Sequence, residues 1–401
     1  MVPDSAPQLR FIPFRRTDLR VMCRQQGGLN AEASQAFERG CDLIEVRYRD
    51  EFAAIKQQVK DLYAPVDPDA DTRAVDVATS GVGEGLVALL EDVLNRGNYE
   101  RVSDDALEAA FQSSSLFPLR LHVNQADFAE VLLYTRGATQ KEEQVPLIWG
   151  LFPRPVKFLN YERVVLFLRF HQDVDVDNTL GGCRPGATML KLFQNVPNAD
   201  LEMLFPNTRI GMRTIDKLLI GVPAMVSGGV ILTTKLGTTL VLVGSLIGFW
   251  LGLNKEEVEL NRATAIALLA GLGTLGAYIW KQFSSFRNRK LAFTQALTHN
   301  LYFKLLDNNS GVLLRVLDDA EDSECKESLV AYHFLLESPE PVSANELDQR
   351  IEHWFEQRWG YRLDFEIEDA LNKLENLSLA ECSDELWSAR FPQARLTALS
   401  I

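Results

Sequence analysis

The chain has 401 residues and a formal net charge of −14, and hydrophobic residues make up 46% of it. This length accommodates about two or three ordinary domains, and the composition is typical of a globular protein with a modest membrane portion, not of a multi-span transporter. An acidic surface repels phosphate backbones, which excludes nucleic acid as an expected partner.

The five cysteines are scattered along the chain and never form a C-x-x-C pair, which argues against a disulfide framework and against a zinc knuckle. We therefore expect reduced thiols that face a cytosol-like compartment. The N-terminal residues show neither the apolar run of a signal peptide nor the pattern of a clear transit peptide. Membrane insertion is therefore expected to depend on internal segments.

The first part of the chain, residues 1–217, is predicted to be a soluble α+β domain. Apolar residues between Asn30 and Tyr63 recur at alternating three- and four-residue intervals, which predicts a long amphipathic helix. Further along, β-branched and aromatic runs such as 128–136 and 164–170 are separated by Gly, Pro or Asn. These runs indicate a small antiparallel sheet.

The next part, residues 218–281, is predicted to be a membrane segment. Residues 218–253 contain one charged residue, Lys235, and residues 263–280 contain none. A hydrocarbon core about 30 Å thick needs about 20 apolar helical residues, so the second stretch is just long enough to cross it. One straight helix over the first stretch would be too long for a simple crossing, so we expect it to break.

The membrane topology follows from these lengths and from the flanking charge. We expect crossings at about 236–253 and 263–280, with residues 218–234 lying in the interface or forming an additional crossing. Lys and Arg residues flank the segment on both sides, which places both termini on the cytoplasmic face and favours two crossings over three. The lack of a transit signal favours a bacterial inner membrane.

Small residues recur at four-residue intervals in both predicted membrane helices. They are Gly244, Gly248 and Gly252 in the first helix, and Gly273 and Ala277 in the second. Such faces allow helix backbones to approach closely in lipid. We interpret them as packing surfaces, either within one hairpin or between copies of the chain in a homo-oligomer. A pore is a third hypothesis, which the lack of charge within the crossings disfavours.

The last part, residues 282–401, is predicted to be a soluble helical domain with a winged-helix-like unit. This unit is expected to begin near Glu324 with one helix, followed by a helix that Ser343 caps and that ends at Gly360. A third helix at 365–377 and a small β-wing complete it. Because the third helix is rich in acidic residues, we interpret the unit as a protein-interaction module and not as a DNA-binding one.

Polar residues crowd a predicted turn near the start of this C-terminal part. The candidate site residues are Lys304, Asp307, Asn308, Asn309, Arg315, Glu321 and Glu324. Two interpretations are open: a corner between helices held by caps and surface charge, or a functional polar site. The sequence contains no motif that assigns a catalytic residue, a cofactor or a metal ion, since the five histidines are isolated and no G-x-S-x-G elbow occurs.

Three segments carry a family resemblance: NRKLAFTQALTHNLYFKLLDNNSGVLLRVLDDAEDSECKESLVAYHFLL, the preceding NVPNADLEMLFPNTRIGMRTIDKLLIGVPA, and FIPFRRTDL near the start. They resemble the uncharacterised membrane-protein family that includes mitochondrial transmembrane protein 143 of animals and relatives in bacteria and plants. The resemblance implies a membrane protein with paired transmembrane helices and a domain of unknown function. It implies no substrate, cofactor or catalytic residue.

The sequence therefore favours a membrane-anchored scaffold or interaction protein, whose partners are the lipid bilayer and other proteins. One alternative is a membrane-associated hydrolase with a polar site near residues 304–324, which requires Asp307, Asn308 and Asn309 to line a cleft. A second alternative is an oligomeric transport element that assembles through the glycine faces, which requires a ring of subunits.

Overall fold

We describe the fold from a computed structural model of the chain. The structure describes residues 8–69, 84–103, 120–123, 125–146, 153–171, 186–206, 209–211 and 301–392, together with Leu107 and single helical positions between 262 and 299. The chain divides into two compact units. The first comprises Met1–Ser113, Asn124–Asn207 and Lys304–Ile401, and the second comprises Ser114–Val123 and Thr208–Phe303.

The first unit contains both the N-terminal and the C-terminal parts of the chain. Its described α-helices are α1 (Arg16–Gln26), α2 (Ala31–Tyr63), α3 (Glu84–Arg96), α4 (Ser310–Glu337), α5 (Ala344–Trp359) and α6 (Ile367–Asn376). Helices from both parts contribute buried side chains to a single hydrophobic core. The two ends of the sequence therefore fold together.

The strands form three sheets among the described residues. They are β1 (Glu100–Arg101), β2 (Arg120–His122), β3 (Phe128–Pro146), β4 (Pro153–Phe170), β5 (Thr188–Pro197), β6 (Arg209–Gly211), β7 (Leu305–Asn308), β8 (Val342–Ser343), β9 (Ala380–Ser383) and β10 (Leu386–Ala389). The largest sheet is antiparallel with the order β1-β3-β4-β5-β7. A second sheet has the order β8-β10-β9, and β2 pairs with β6 in the second unit.

Strand β4 shows why the largest sheet has a continuous apolar sequence at its centre. All five residues from Val164 to Leu168 are buried, although neighbouring side chains on a strand point to opposite faces. Val165 and Phe167 belong to the core shared with the helices. The short 3-10 segment Asn198–Leu204 contacts β4 and β5 as well. A strand covered on both faces needs apolar residues at every position, which explains the run VVLFL.

Helix α2 confirms the long amphipathic helix that the sequence predicts. Asn30 is its N-cap, and the Asn30 side chain accepts a hydrogen bond from the backbone N–H of Ala33 at 2.8 Å. The apolar residues at three- and four-residue spacing form the buried face of the helix. The stripe is therefore the core face of a domain.

Helix α4 is the central element of the first unit. It runs without a break over Ser310–Glu337, and every residue from 323 to 335 is buried. The predicted start of a separate unit near Glu324 is wrong, because that residue lies in the middle of this helix. No glycine or proline follows Gly311 before Pro339, so nothing in the sequence interrupts the helical hydrogen bonding.

The C-terminal half of α4 leads into β8, α5, α6 and the β9–β10 hairpin. Helix α5 begins at the N-cap Ser343, whose side chain accepts a hydrogen bond from the backbone N–H of Glu346 at 3.3 Å. It ends at Gly360, which has the left-handed φ of 71° that favours glycine at this position. These elements follow one another in the order helix, strand, two helices and hairpin, and β8 pairs with β10 of the hairpin.

No helix among the described residues combines the length and the apolar composition that a bilayer crossing requires. Helices α2 and α4 have enough residues, but charged side chains occur along both of them. The predicted fold of an α+β protein with transmembrane helices is therefore wrong in its membrane part, and the described chain is a mixed α/β structure with an antiparallel sheet. The same finding overturns the predicted location in a bacterial inner membrane with both termini cytoplasmic.

Most residues of the predicted membrane segment lie outside the described part of the chain. This applies to the whole of 218–234 and 236–253, including Gly244, Gly248 and Gly252. Residues 263–280 are described only at single helical positions, among which are Gly273 and Ala277.

The close approach of α2 and α4 generates a stability prediction. A Cβ added at Gly40 of α2 would collide with the buried ring of Tyr332 in α4, so Gly40→Ala forces the two longest helices apart. We expect this substitution to lower the free energy of unfolding by about 1–3 kcal/mol, measured by urea denaturation.

The matched control is Gly85→Ala in α3, where the nearest atom to an added Cβ is Cδ2 of Leu62 at 3.8 Å. There the free energy of unfolding should stay unchanged or rise by up to about 1 kcal/mol, because alanine favours the helix. Equal effects of the two substitutions would contradict the close approach.

Candidate functional site

The candidate polar residues divide into two groups. The first group lies where β7 meets α4 and comprises Lys304, Asp307, Asn308, Asn309 and Arg315. The second lies further along α4 and comprises Glu321 and Glu324. At a rise of about 1.5 Å per residue, Glu324 lies about 14 Å beyond Arg315 along the helix axis. These sequence neighbours therefore do not converge on one point.

Asn309 connects three parts of the first unit. Its backbone N–H donates to the carbonyl oxygen of Leu190 at 2.7 Å, and its Oδ1 accepts from the N–H of Leu190 at 3.3 Å. Its Nδ2 donates to Oδ2 of Asp69 at 2.5 Å. Asn309 has a left-handed φ of 48°, which asparagine tolerates better than most residues. Asn309 therefore holds the start of α4 against β5.

Arg315 and Glu321 each form an ion pair with another part of the first unit. Arg315 Nη1 lies 3.8 Å from Oδ2 of Asp307, and both side chains are partly exposed, so this pair is loose. Glu321 Oε1 lies 3.5 Å from Nη1 of Arg16 in α1. The second pair joins α1 to α4.

Glu324 is the centre of a buried charge network. Only 1% of its side chain is exposed, yet Oε1 accepts a hydrogen bond from Arg96 Nε of α3 at 2.7 Å, and Oε2 pairs with Lys373 Nζ of α6. Arg96 also donates to Oε1 of Glu51 in α2 at 2.8 Å. The network therefore joins α2, α3 and α6 to the central helix.

The charges of this network stabilise one another. Burial opposes the charged form of Arg96, but the hydrogen bond and the charge of Glu324 outweigh it, and the pKa of Arg96 rises above its usual value. The pKa of Lys373 also rises, because Glu324, Glu327 and Asp369 outweigh its burial. Arg96 and Lys373 are not among the residues predicted from the sequence, because they lie far from Glu324 in the chain.

Glu327 lies one helical turn from Glu324 and is the least well compensated member of the network. Its Oε1 accepts from Asn98 Nδ2 at 2.6 Å, while Oε2 is 3.8 Å from Lys373 Nζ. Burial raises the pKa of Glu327 to about 7, against the lowering effects of Lys373 and Asn98. A carboxyl in this position binds a proton near neutral pH.

A second, partly buried charge group lies between the sheet and α4. Asp319 of α4 accepts a hydrogen bond from the Tyr99 hydroxyl at 2.8 Å and pairs with Arg136 of β3, whose Nη1 is 3.3 Å away. Arg163 of β4 donates to the same oxygen, Oδ2 of Asp319. Arg136 Nη2 also donates to the hydroxyl of Ser323 at 3.0 Å. One carboxylate thus serves two guanidinium groups.

A polar pocket of about 550 Å³ lies beside this group. Residues of β3, β4, β5 and β7 line it together with Arg315 of α4, which is the only member of the candidate polar set among its described lining residues. Asp307, Asn308 and Asn309 are not lining residues of this pocket. The cleft that the hydrolase alternative requires of them is therefore not formed here.

His333 is one of the five histidines that lie far apart in the sequence. It is fully buried in α4, and its ring makes edge contacts with Phe37 and Phe334 at centroid distances of 5.3 Å. Burial lowers its pKa to about 4, so the ring is neutral at physiological pH. His333 is a packing residue of the core.

Glu327 generates a prediction about pH. The pKa of Glu327 in the folded state, about 7, lies above the ordinary glutamate value of 4.5, so the folded state binds more protons than the unfolded state between these values. The contribution of Glu327 to stability is therefore greatest below pH 4.5 and is lost as the pH rises through 7. We expect Glu327→Gln to be more stable than the wild type at pH 8, by up to about 3 kcal/mol.

Urea denaturation of both proteins at pH 5 and pH 8 measures this difference, which should fall to about 1 kcal/mol or less at pH 5. Glu346→Gln at an exposed position of α5 is the control and should show no such pH dependence. A stability difference that is equal at both pH values would contradict the raised pKa.

Comparison with known proteins adds one family match. The family described as a protein of unknown function (DUF3754) matches residues 161–311, a segment that begins within β4, contains β5 and β7, and ends at the start of α4. No solved structure matches the chain. The resemblance seen in the sequence is thus confirmed only at a coarser level: residues 161–311 are a DUF3754 domain, whose function is unknown.

Proposed function

We propose that this chain is a non-catalytic interaction protein whose winged-helix-like unit binds another protein. The observation that carries the proposal is the exposed surface of α6, the helix that would enter the DNA major groove in a DNA-binding winged helix. Glu368, Asp369 and Glu375 are exposed on α6. Carboxylates at these positions oppose a phosphate backbone and favour a basic protein surface.

The neighbouring hairpin supports the same proposal. Asp384 and Glu385 are exposed at its turn, which extends the acidic surface. Leu386 is 40% exposed on β10, and Phe391 is 47% exposed just beyond it. Exposed apolar side chains beside charged ones are typical of protein interfaces, where the former supply buried contact area and the latter orient the partner.

The packing inside the winged-helix-like unit keeps the exposed surface of α6 in a fixed position. Ile367, Ala370, Leu371 and Leu374 bury the inner face of α6, and Lys373 ties that helix to Glu324 of α4. The outer face of α6 is therefore presented by a rigid element, which lowers the entropy lost when a partner binds.

The alternatives from the sequence have less support. The hydrolase requires Asp307, Asn308 and Asn309 to line a cleft, and the polar pocket beside them is lined by other residues. The transport element depends on transmembrane helices, which the described helices contradict. The interaction protein needs neither feature.

Site-specific photo-crosslinking in cells tests the proposal. A photo-reactive residue placed at Asn372, an exposed position of α6, should give one discrete protein adduct that mass spectrometry identifies. The double substitution Glu368→Lys/Glu375→Lys should reduce this adduct at least tenfold, because it reverses two charges that face the basic partner.

Two controls make the result specific. Asp50→Lys/Glu340→Lys reverses two exposed charges elsewhere in the chain and should leave the adduct at Asn372 unchanged. A photo-reactive residue at Gln58, an exposed position of α2, should not capture the same protein. Absence of a charge-dependent adduct at Asn372, or binding of duplex DNA by the purified chain, would overturn the proposal.

A further inference from the structure

The polar pocket of about 550 Å³ has a size typical of small-molecule sites, which range from about 300 to 1,000 Å³. It lies within the first unit, where Arg315 of α4 meets side chains of four neighbouring strands. Its position on the sheet is fixed by paired strands, because Arg163 of β4 is opposite Gln194 of β5 in the register. The pocket is thus built on regular elements and not on a loop.

The lining of the pocket is basic, although the protein as a whole carries a net charge of −14. Lys141, Arg163 and Arg315 supply three cations from three different elements, and Glu162 is the one carboxylate among the lining residues. A local reversal of charge in an acidic protein focuses the field on the pocket and attracts small anions.

The neighbouring carboxylates do not fully neutralise these cations. Asp319 is shared between Arg163 and Arg136, so the group of two guanidiniums and one carboxylate retains a positive charge. Among the described residues, the ion pair of Arg315 is the loose one with Asp307 at 3.8 Å. Lys141 Nζ donates to the neutral amide oxygen of Asn195 at 3.1 Å.

Neutral polar groups complete the lining. Gln140, Gln194 and Asn195 bring amide groups to the pocket, which add hydrogen-bond donors to those of the cations, while the hydroxyl of Thr139 donates to the carbonyl oxygen of Asn160 at 3.3 Å. Asn195 has a left-handed φ of 52° at the point where β5 approaches its end. A backbone conformation that costs free energy is often retained at binding sites, and this one places an amide group in the pocket.

We infer that this pocket binds a small molecule that carries phosphate groups. Cations from β3, β4 and α4 and amide groups from β3 and β5 line the pocket, and a phosphate group offers more acceptor oxygens to these donors than a carboxylate does. The acidic surface elsewhere disfavours a long polyanion such as nucleic acid and leaves a small ligand as the occupant. The inference is independent of the protein-binding role proposed for α6.

Isothermal titration calorimetry of the full chain with pyrophosphate tests the inference at constant ionic strength. We expect saturable binding of one pyrophosphate per chain. The double substitution Lys141→Gln/Arg315→Gln should weaken binding at least tenfold, since each removed cation makes a charge-assisted contact. Both side chains lie at the rim and not in the core, and thermal unfolding of the variant verifies that it folds.

Two further variants and one further ligand complete the experiment. Lys141→Arg/Arg315→Lys keeps both charges and should retain binding within a few-fold of the wild type. Lys157→Gln/Arg358→Gln removes two exposed cations outside the pocket and should leave binding unchanged. Citrate, which carries similar charge on carboxylates, should bind at least tenfold more weakly than pyrophosphate.

The opposite results overturn the inference. No saturable pyrophosphate binding would show that the cations do not form a site. If Lys141→Gln/Arg315→Gln and Lys157→Gln/Arg358→Gln lose pyrophosphate binding equally, pyrophosphate responds only to the total charge of the protein. Citrate binding as tight as that of pyrophosphate would reject phosphate as the recognised group.

Discussion

The fold of the first unit depends on the compensation of one buried carboxylate. Glu324 lies in the middle of a helix whose residues are buried all around, and an ionised carboxylate in that position is strongly unfavourable unless partners replace its hydration. Arg96 and Lys373 provide those partners from opposite ends of the sequence. The helices that carry Arg96 and Lys373 are therefore held to α4 by ion pairs as well as by apolar packing.

This constraint links the two surfaces that we propose to be functional. Lys373 lies on α6, so the same side chain that compensates Glu324 fixes the helix whose outer face is acidic. Earlier in α4, Asp319 performs the corresponding role for Arg136 and Arg163 of the sheet, and Arg163 lines the polar pocket. One helix thus positions the pocket with its N-terminal half and the winged-helix-like unit with its C-terminal half.

Local patterns in the sequence predicted the local structure well. The Asn30 cap and the apolar spacing after it define α2, and Ser343 with Gly360 defines α5, because caps and periodicity act within a few residues. The continuity of α4 was missed because a separate unit was expected to begin near Glu324. Asp319 and Glu324 pair with Arg136, Arg163, Arg96 and Lys373, and such distant pairings leave no periodic signal in a single sequence.

The membrane prediction rested on the low charge of residues 218–253 and 263–280, most of which lie outside the described residues, and no described helix is long and apolar enough to cross a bilayer. The pocket was missed because Lys141, Arg163 and Arg315 each have the ordinary appearance of a surface cation in the sequence. Only the pairing of β3, β4 and β5 and the placement of α4 bring them together.

The pairing of Glu324 with Lys373 is the central interaction of the first unit, and a double-mutant cycle in the free energy of unfolding measures it. We expect Lys373→Met and Glu324→Gln each to cost about 2 kcal/mol, because each removes one charge-assisted contact from a buried network in which Arg96, Asp369 and Glu327 supply the other contacts. The double variant should lose at least about 1 kcal/mol less than the sum of the single losses. Additive effects, or single losses below about 0.5 kcal/mol, would contradict the central role of this buried carboxylate.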